Sequence, residues 1–161
     1  MNTVTAAETV VAELRRRSMT IAAAESCTAG AFTSALSTVP GASHVLWGGW
    51  VVYQSHAKSA LLGVSREDIG RWGAVSEVTT RGLVQAARER SGASLVVAIT
   101  CSAGPRAQEG SSVGDVWVAV ANGGSVTTRF RNIAGDRQAV RDGAVALAIV
   151  GCSVALGLTL R

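Results

Sequence analysis

The sequence predicts an α/β fold: helices packed around a mixed, mostly parallel sheet that ends in a C-terminal antiparallel hairpin. Segments with helical and strand patterns alternate along the chain, which is typical of this class. Residues 93–100 form a continuous apolar run of strand length, as expected of an interior strand. Asn122-Gly123-Gly124 separates two strand-like runs and favours a hairpin turn. With 161 residues, the chain predicts a single domain over 1–161.

The first half of the chain predicts alternating helices and strands. Residues 4–17 carry apolar side chains at helical spacing and end in three arginines, which favours an amphipathic helix. Residues 19–25 are apolar and short enough for a buried strand, and Ser26 opens a turn into a helix that runs to about residue 37. The elements predicted next are a strand over 44–53, a helix over 56–63, a turn over 65–73 with Ser65 as N-cap, and a helix over 76–92.

Two further features concern the second strand and the last helix. Gly48-Gly49 inside the second strand predicts a bulge or a close backbone approach. Residues 143–160 are an 18-residue run without charge, at the lower limit of a membrane-spanning helix, but they lack tryptophan or tyrosine anchors. We therefore expect a closing helix that packs on the sheet and starts near Asp136, and no membrane partner.

The charge pattern favours a small anionic ligand over nucleic acid. The formal net charge is +4, but the arginines are scattered and only seven side chains are aromatic, which is a poor match to a nucleic-acid groove. Three cysteines without a CxxC pair, and no signal-peptide pattern, predict a cytoplasmic protein without a disulfide framework. The two histidines have no ligand-like spacing to cysteine, so we expect no metal and no cofactor.

Three polar segments follow predicted strands, where open α/β sheets usually place their sites. They are residues 25–30, 53–58 and 100–105. Lys58 is the only lysine and, unlike arginine, it can lose its proton; if it is buried, it could deprotonate a serine. The alternative is a solvated helix lysine. Tyr53 could orient Lys58 or relay its proton, or it could lie at the edge of the core with its hydroxyl in water.

The choice of serine stays open from the residues alone. Loop serines are commonly caps or turn formers, so spacing cannot select a nucleophile. Glycines 30 and 104 would allow backbone N–H groups to approach a phosphate or an oxyanion, but neither common phosphate-loop motif is present. The serines in predicted loops are Ser26, Ser43, Ser55 and Ser102.

Six segments in order resemble the CinA C-terminal domain family, the nicotinamide-nucleotide amidohydrolases. They are "AESCTAG", "VPGASHVLWGGWVVYQSHAKSALLGV", "GAVSE", "TCSAGP", "VGDVWVAVA" and "GDRQAVR". The resemblance implies a three-layer α/β/α sandwich and metal-free hydrolysis of the amide of nicotinamide mononucleotide to the nicotinate nucleotide and ammonia. It also makes self-association into a homo-oligomer plausible.

The resemblance also implies roles for single residues. By its motif, Ser43 resembles the family's nucleophile, with Lys58 as general base and Tyr53 assisting proton transfer. Ser26 is the reserve nucleophile, because the turn after a buried strand would also present its hydroxyl. Arg137 and Arg141 resemble positions that hold a phosphate or carboxylate. The full set expected to bind the substrate is Ser26, Thr28, Gly30, Thr100, Ser102, Gly104, Arg137 and Arg141.

The chain departs from the family pattern in its glycines. Ala29 and Cys101 stand where the family commonly has glycine, and a side chain there can block close backbone approach or disfavour a positive φ. The loop over 106–112 is also shortened. Two functions follow from these departures: a working amidohydrolase with altered efficiency or substrate, or a relative that binds a nucleotide or a protein without turnover.

Overall fold

A computed structural model describes residues 3–158. Within that range there are six α-helices and five strands, and their order is the predicted one except for one additional helix, α4. In chain order they are α1 (Thr3–Arg16), β1 (Ile21–Glu25), α2 (Ala31–Ser37), β2 (Leu46–Val51), α3 (Ser55–Leu62), α4 (Arg66–Trp72), α5 (Glu77–Ser91), β3 (Leu95–Cys101), β4 (Asp115–Asn122), β5 (Ser125–Asn132) and α6 (Arg137–Ala155). A short 3₁₀ helix, Ala42–His44, precedes β2.

The strands form one mixed sheet in the order β2-β1-β3-β4-β5. Strand β1 pairs in parallel with both β2 and β3, whereas β4 is antiparallel to β3 and to β5. Four strands therefore run in one direction and β4 runs against them. The predicted class, a mixed and mostly parallel sheet closed by an antiparallel hairpin, is confirmed.

The two faces of the sheet bury separate apolar clusters. Strands β1 and β3 are buried at every position, so alternate side chains enter opposite layers. Ile21 and Val97 pack in the layer that contains α1, α2 and α6, and Ala22 and Val96 pack in the layer that contains α3 and α5. This arrangement is the expected three-layer sandwich. Each large side chain that is fully buried stabilises it by roughly 1.5–3 kcal/mol.

The glycine pair in β2 forms both features that its position predicts. The register with β1 shifts next to Ile21, so that Trp47 is skipped in the pairing, and Gly48 has φ +137°. A Cβ on Gly49 would lie 2.6 Å from the carbonyl oxygen of Ala23. The edge strand therefore bulges at Gly48 and approaches β1 too closely at Gly49 for any side chain.

Two predicted boundaries differ from the structure. Residues 65–73, expected as a turn, contain the helix α4. The Ser65 hydroxyl accepts a hydrogen bond from the Asp68 N–H at 3.1 Å, and two acidic residues fill the first turn, so local capping suffices to start this short helix. The predicted strand over 44–53 is shorter because His44 belongs to the 3₁₀ helix.

Helix α6 closes the fold. Asp136 caps it by accepting a hydrogen bond from the Ala139 N–H at 2.9 Å. It is the one described helix long and apolar enough to cross a membrane by length and composition. Its apolar side, however, lies against the sheet: Val140, Ala144 and Ile149 are among its buried residues. The apolar run thus serves the core of the domain.

Candidate functional site

The carboxyl ends of β1, β2 and β3 meet at one edge of the sheet because these strands are parallel neighbours. Ser26 follows β1, Tyr53 follows β2, and Cys101 to Gly104 end β3 and begin the next loop. A cavity of about 300 Å³ opens there. Its wall includes Ser26, Tyr53, Ser55, Gly104, Arg106 and Arg137. The three segments predicted from the sequence therefore converge on one site.

Lys58 is buried directly behind Ser26. The lysine belongs to α3, is 1% exposed, and its Nζ lies 3.0 Å from Ser26 Oγ. It also donates to the backbone carbonyls of Val52 at 2.9 Å and Tyr53 at 3.4 Å. No carboxylate pairs with Lys58 in the part of the chain that the structure describes. The alternative of a solvated helix lysine is wrong.

Burial lowers the pKa of Lys58 from 10.5 to about 8, since a charged ammonium loses its hydration there. The partners of Nζ suit the neutral amine equally well. A neutral amine has two N–H donors, which the two carbonyls accept, and one lone pair, which can receive the Ser26 hydroxyl proton. A base with a lowered pKa next to a hydroxyl is the arrangement that activates a serine nucleophile.

The turn that carries Ser26 is held by two charged side chains. The buried carboxylate of Glu25 accepts hydrogen bonds from the N–H groups of Gly30, Phe32 and Thr33 at 2.9–3.0 Å. The carboxylate thus satisfies the open N–H groups at the start of α2. From α6, Arg141 donates to the carbonyls of Cys27 and Thr28, both at 3.1 Å.

Tyr53 and Arg137 lie together at the mouth of the cavity. The Tyr53 side chain is 49% exposed, and its hydroxyl accepts a hydrogen bond from Arg137 Nη2. Arg137 Nη1 donates to the Gly104 carbonyl at 2.6 Å. These contacts bridge two of the loops that build the site. The Tyr53 phenol meets Arg137, whereas its backbone carbonyl faces Lys58.

Ser43 does not belong to this group, which corrects the expected nucleophile. It lies in the 3₁₀ helix immediately before β2, is exposed, and is absent from the cavity wall. Tyr53 follows the other end of the same strand, and a six-residue strand spans roughly 17 Å. The structure instead places the reserve candidate, Ser26, beside Lys58.

Several residues expected to bind substrate serve the scaffold. Thr100 shares a hydrogen bond of 2.8 Å with Thr80 in α5, and the Ser102 hydroxyl accepts from the Gln108 N–H at 3.1 Å. Thr28 is fully buried, and its Oγ1 has no hydrogen-bond partner. None of these side chains lines the cavity; nor do Gly30 and Arg141, whose polar groups bind Glu25 and the Ser26 turn.

Other residues of the site were not selected from the sequence. Arg106 and Gln108 lie in the loop after "TCSAGP" and line the cavity, as do Gln54 and Val75. The available signal was that Arg106 and Gln108 lie just beyond a motif segment and that Gln54 and Val75 lie inside one. Among the described residues that form the wall, none is acidic and two are arginines. This charge distribution favours an anionic ligand.

The cysteines also correct an expectation. Cys27 and Cys101, which the sequence left unpaired, form a disulfide with a Cα–Cα distance of 5.6 Å, and both line the cavity. Their pairing follows from the sheet, because β1 and β3 are neighbours and each cysteine lies at a strand end. Cys152 is free and buried in α6.

Residues 3–158 contain no group of three or more histidine, cysteine, aspartate or glutamate side chains that could hold a metal ion. The side chains that could take part in a reaction at the cavity are Ser26, Lys58, Tyr53, Arg106 and Arg137. Such a set can perform acyl transfer by serine attack, with lysine as the proton acceptor.

Comparisons with known proteins agree with the family that the motifs resemble. The "Nicotinamide-nucleotide amidohydrolase PncC" of Pseudomonas putida is 39% identical over 142 residues, which cover 86% of this chain and 87% of that protein. A "CinA-like protein" of Akkermansia muciniphila is 40% identical over 134 residues, 82% of this chain and 32% of that protein. This chain spans about a third of the length of such longer curated relatives.

The fold is shared with solved structures. The crystal structure of the competence damage-inducible protein A from Klebsiella pneumoniae superposes with a TM-score of 0.94 at 30% identity and covers 98% of each chain. The competence/damage inducible protein from Agrobacterium tumefaciens gives a TM-score of 0.90 at 31% identity, over 96% of this chain and 95% of that one. The family model of the CinA C-terminal domain matches residues 3–154. The chain belongs to the CinA C-terminal domain family.

Proposed function

We propose that this chain hydrolyses the carboxamide of nicotinamide mononucleotide to nicotinate mononucleotide and ammonia, with Ser26 as nucleophile and Lys58 as general base. The observation that carries the proposal is the 3.0 Å contact between a buried lysine of lowered pKa and a serine in the wall of a cavity. The Pseudomonas putida relative, which carries the name of this activity, supports the choice of reaction.

The reaction follows from the contacts of Lys58. Ser26 Oγ attacks the carboxamide carbon while its proton passes to Nζ. Backbone N–H groups near Ser26 stabilise the negative oxygen of the tetrahedral intermediate. The Lys58 ammonium then protonates the departing nitrogen, which leaves as ammonia. Water attacks the remaining ester, Lys58 takes its proton, and the nicotinate nucleotide is released as Ser26 recovers its proton.

The substrate's phosphate accounts for the charge of the cavity wall. Arg137 lies at the mouth with its guanidinium already fixed by Tyr53 and Gly104, so little conformational entropy is lost when it binds an anion. Arg106 lies in the same wall. We assign the phosphate to these two arginines, and to Tyr53 the task of keeping Arg137 in place.

The altered glycine positions leave room for this reaction. Ala29 adopts the left-handed conformation at φ +52° even with its side chain, and that side chain is exposed to solvent. Cys101 is bonded into the wall, and the cavity of about 300 Å³ remains. Hydrolysis is thus favoured over the alternative of a binding module without turnover.

The test is ammonia release from nicotinamide mononucleotide by the purified protein. Ser26→Ala should lower kcat/KM by at least about a thousandfold, because the nucleophile is lost. Ser43→Ala is the matched control, and it should retain the wild-type rate because Ser43 lies at the opposite end of β2. Loss of activity in Ser43→Ala alone would instead support Ser43 as the nucleophile, as the resemblance implies. Nucleotide binding without ammonia release by the folded protein would favour the binding module.

Two further expectations belong to this proposal. We expect the chain to act on a small-molecule nucleotide, without nucleic acid or membrane as partners, as a cytoplasmic homo-oligomer. Light scattering on the purified protein tests self-association: a mass above that of one chain, 16.4 kDa, supports it, and a monomer at all concentrations contradicts it.

A further inference from the structure

The Cys27–Cys101 disulfide is a covalent cross-link beside the proposed nucleophile. Cys27 directly follows Ser26, and Cys101 directly follows Thr100 at the end of β3. Both residues line the cavity although they are only 6% and 5% exposed. The bond therefore joins the turn of the nucleophile to the adjacent strand at the wall that faces the substrate.

The turn is also joined to β3 by the Ser26 N–H, which donates to the Ile99 carbonyl at 3.0 Å, so the disulfide is the contact that fixes the turn on its Cys27 side. Glu25 binds N–H groups from Gly30 onward, toward α2, and Arg141 binds the backbone carbonyls of Cys27 and Thr28. Neither Glu25 nor Arg141 lines the cavity. These contacts would hold the turn folded after reduction, so reduction should change the cavity wall without unfolding the domain.

Reduction should widen the separation of Cys27 and Cys101, beyond the point where the Ser26 N–H holds the turn to β3. Two thiol sulfurs are separated by van der Waals contact, which is longer than a covalent bond, so the wall moves on the side of Cys27. Ser26 is the next residue along the chain, and acyl transfer is sensitive to the approach of its hydroxyl. A misplacement of about 1 Å can cost on the order of a hundredfold in rate.

We propose that Cys27 and Cys101 are a positioning pair that fixes Ser26 toward the substrate and makes turnover depend on the redox state of the site. The proposal rests on the proposed function. A dithiol supplies the two electrons: its thiolate attacks one sulfur, the S–S bond breaks, and ring closure of the dithiol releases both cysteines as thiols, which each carry a proton. A small disulfide such as oxidised glutathione reverses the exchange.

The experiment compares the full chain after treatment with oxidised glutathione and with dithiothreitol. Intact mass, which rises by two hydrogen atoms on reduction, establishes each state. We expect kcat for ammonia release to fall by about tenfold on reduction and to recover on reoxidation. The reaction's pH midpoint should not move, because burial sets the pKa of Lys58 and its contacts with the carbonyls of Val52 and Tyr53 do not involve the cysteines.

Two variants make the test specific. Cys101→Ser should have the low rate of the reduced protein in both treatments. Cys152→Ser, which removes the free buried cysteine, should keep the full redox response. Circular dichroism shows that each form is folded. Equal kcat for the oxidised and reduced wild type, with masses that prove the two states, would overturn the proposal. So would a mass showing that the pair stays reduced with oxidised glutathione.

Failure of the proposed function has a different signature. If neither redox form releases ammonia, the positioning claim is judged on binding of nicotinamide mononucleotide by calorimetry. Tighter binding to the oxidised form then supports a wall set by the disulfide, and equal affinities of the two forms contradict it.

Discussion

Lys58 shows how burial alone can prepare a residue for chemistry. Its ammonium meets neutral oxygens of Ser26, Val52 and Tyr53, and no described carboxylate compensates its charge. Desolvation then disfavours the protonated form and brings the pKa to about 8. The same physics that makes the residue a base also makes it a cost to the fold at neutral pH.

That cost predicts a dependence of stability on pH. The native chain releases the Lys58 proton near pH 8 and the unfolded chain near 10.5. Between these values the unfolded state binds more protons, so the free energy of unfolding should rise with pH, by on the order of 3 kcal/mol in total. Urea unfolding of wild type and Lys58→Met from pH 7 to 11 measures it.

The comparison of the two proteins isolates Lys58 from the other groups that titrate in this range. The free energy of unfolding of Lys58→Met minus that of the wild type should fall as the pH rises from about 8, because only the wild type gains stability from the loss of the Lys58 proton. A difference that stays constant across the range would show that Lys58 is not desolvated.

Ala29 gives a second prediction for a single residue. It has φ +52°, a region that costs an L-residue roughly 1–2 kcal/mol, and its side chain is exposed. Ala29→Gly should therefore stabilise the protein by about 0.5 kcal/mol, after the larger entropy loss of glycine on folding. The matched control is Ala12→Gly on the exposed side of α1, which should destabilise by about 1 kcal/mol. Urea midpoints decide, and destabilisation by Ala29→Gly would contradict the assigned conformation.

Among the elements, β2 is constrained by its close packing on β1. It is the edge strand of the sheet, and the close approach of Gly49 to the Ala23 carbonyl keeps it against β1. The carboxyl end of β2 leads to Tyr53 and then to α3, which carries Lys58. The geometry of the site therefore depends on how closely this strand packs.

Gly49→Ala should test that dependence. The added Cβ would lie 2.6 Å from a backbone oxygen, which cannot move without shifting β1, so we expect a loss of about 1–3 kcal/mol. Gly70→Ala in α4 is the control: its Cβ would meet nothing within 4 Å, and alanine favours a helix by up to about 1 kcal/mol. Equal thermal midpoints for the two variants would contradict the close packing.

Helices and strands were predictable where a local sequence pattern, such as an apolar run or a capping residue, matches their place in the fold. The buried runs of β1 and β3 and the caps at Ser65 and Asp136 are local signals, so their positions follow from the sequence. The missed helix α4 is too short for an apolar period to appear.

The site was predictable as three loops but not in its pairings. One pairing could have been excluded from the sequence: Ser43 precedes β2 and Tyr53 follows it, so the two residues lie at opposite ends of the strand. The Cys27–Cys101 bond spans 74 residues and depends on the strand order, which no local pattern contains.

At the scale of the whole molecule, α6, the last helix that the structure describes, contacts the turn that follows the first strand. Arg141 on α6 donates to the carbonyls of Cys27 and Thr28, so the closing helix holds the turn that carries the proposed nucleophile, Ser26. Arg137 on the same helix bridges Gly104 and Tyr53. Helix α6 thus completes a site whose other parts come from α3 and from the segments that follow β1, β2 and β3.

Arg141→Met should separate positioning from substrate binding. Since the guanidinium holds backbone carbonyls, we expect kcat for ammonia release to fall by roughly tenfold with KM nearly unchanged. Arg131→Met, on the exposed side of β5, is the control and should change neither constant. A raised KM with unchanged kcat in Arg141→Met would mean that the guanidinium contacts the substrate, as the sequence had suggested.

The pH dependence of kcat/KM for ammonia release from nicotinamide mononucleotide tests the central claim most directly, because it reports the protonation of the free enzyme. With a neutral Lys58 as the base, kcat/KM should rise about tenfold per pH unit below a midpoint near pH 8 and level off above it. A profile that is flat, or that falls, between pH 7 and 9 would contradict a lysine that must lose its proton before Ser26 can react.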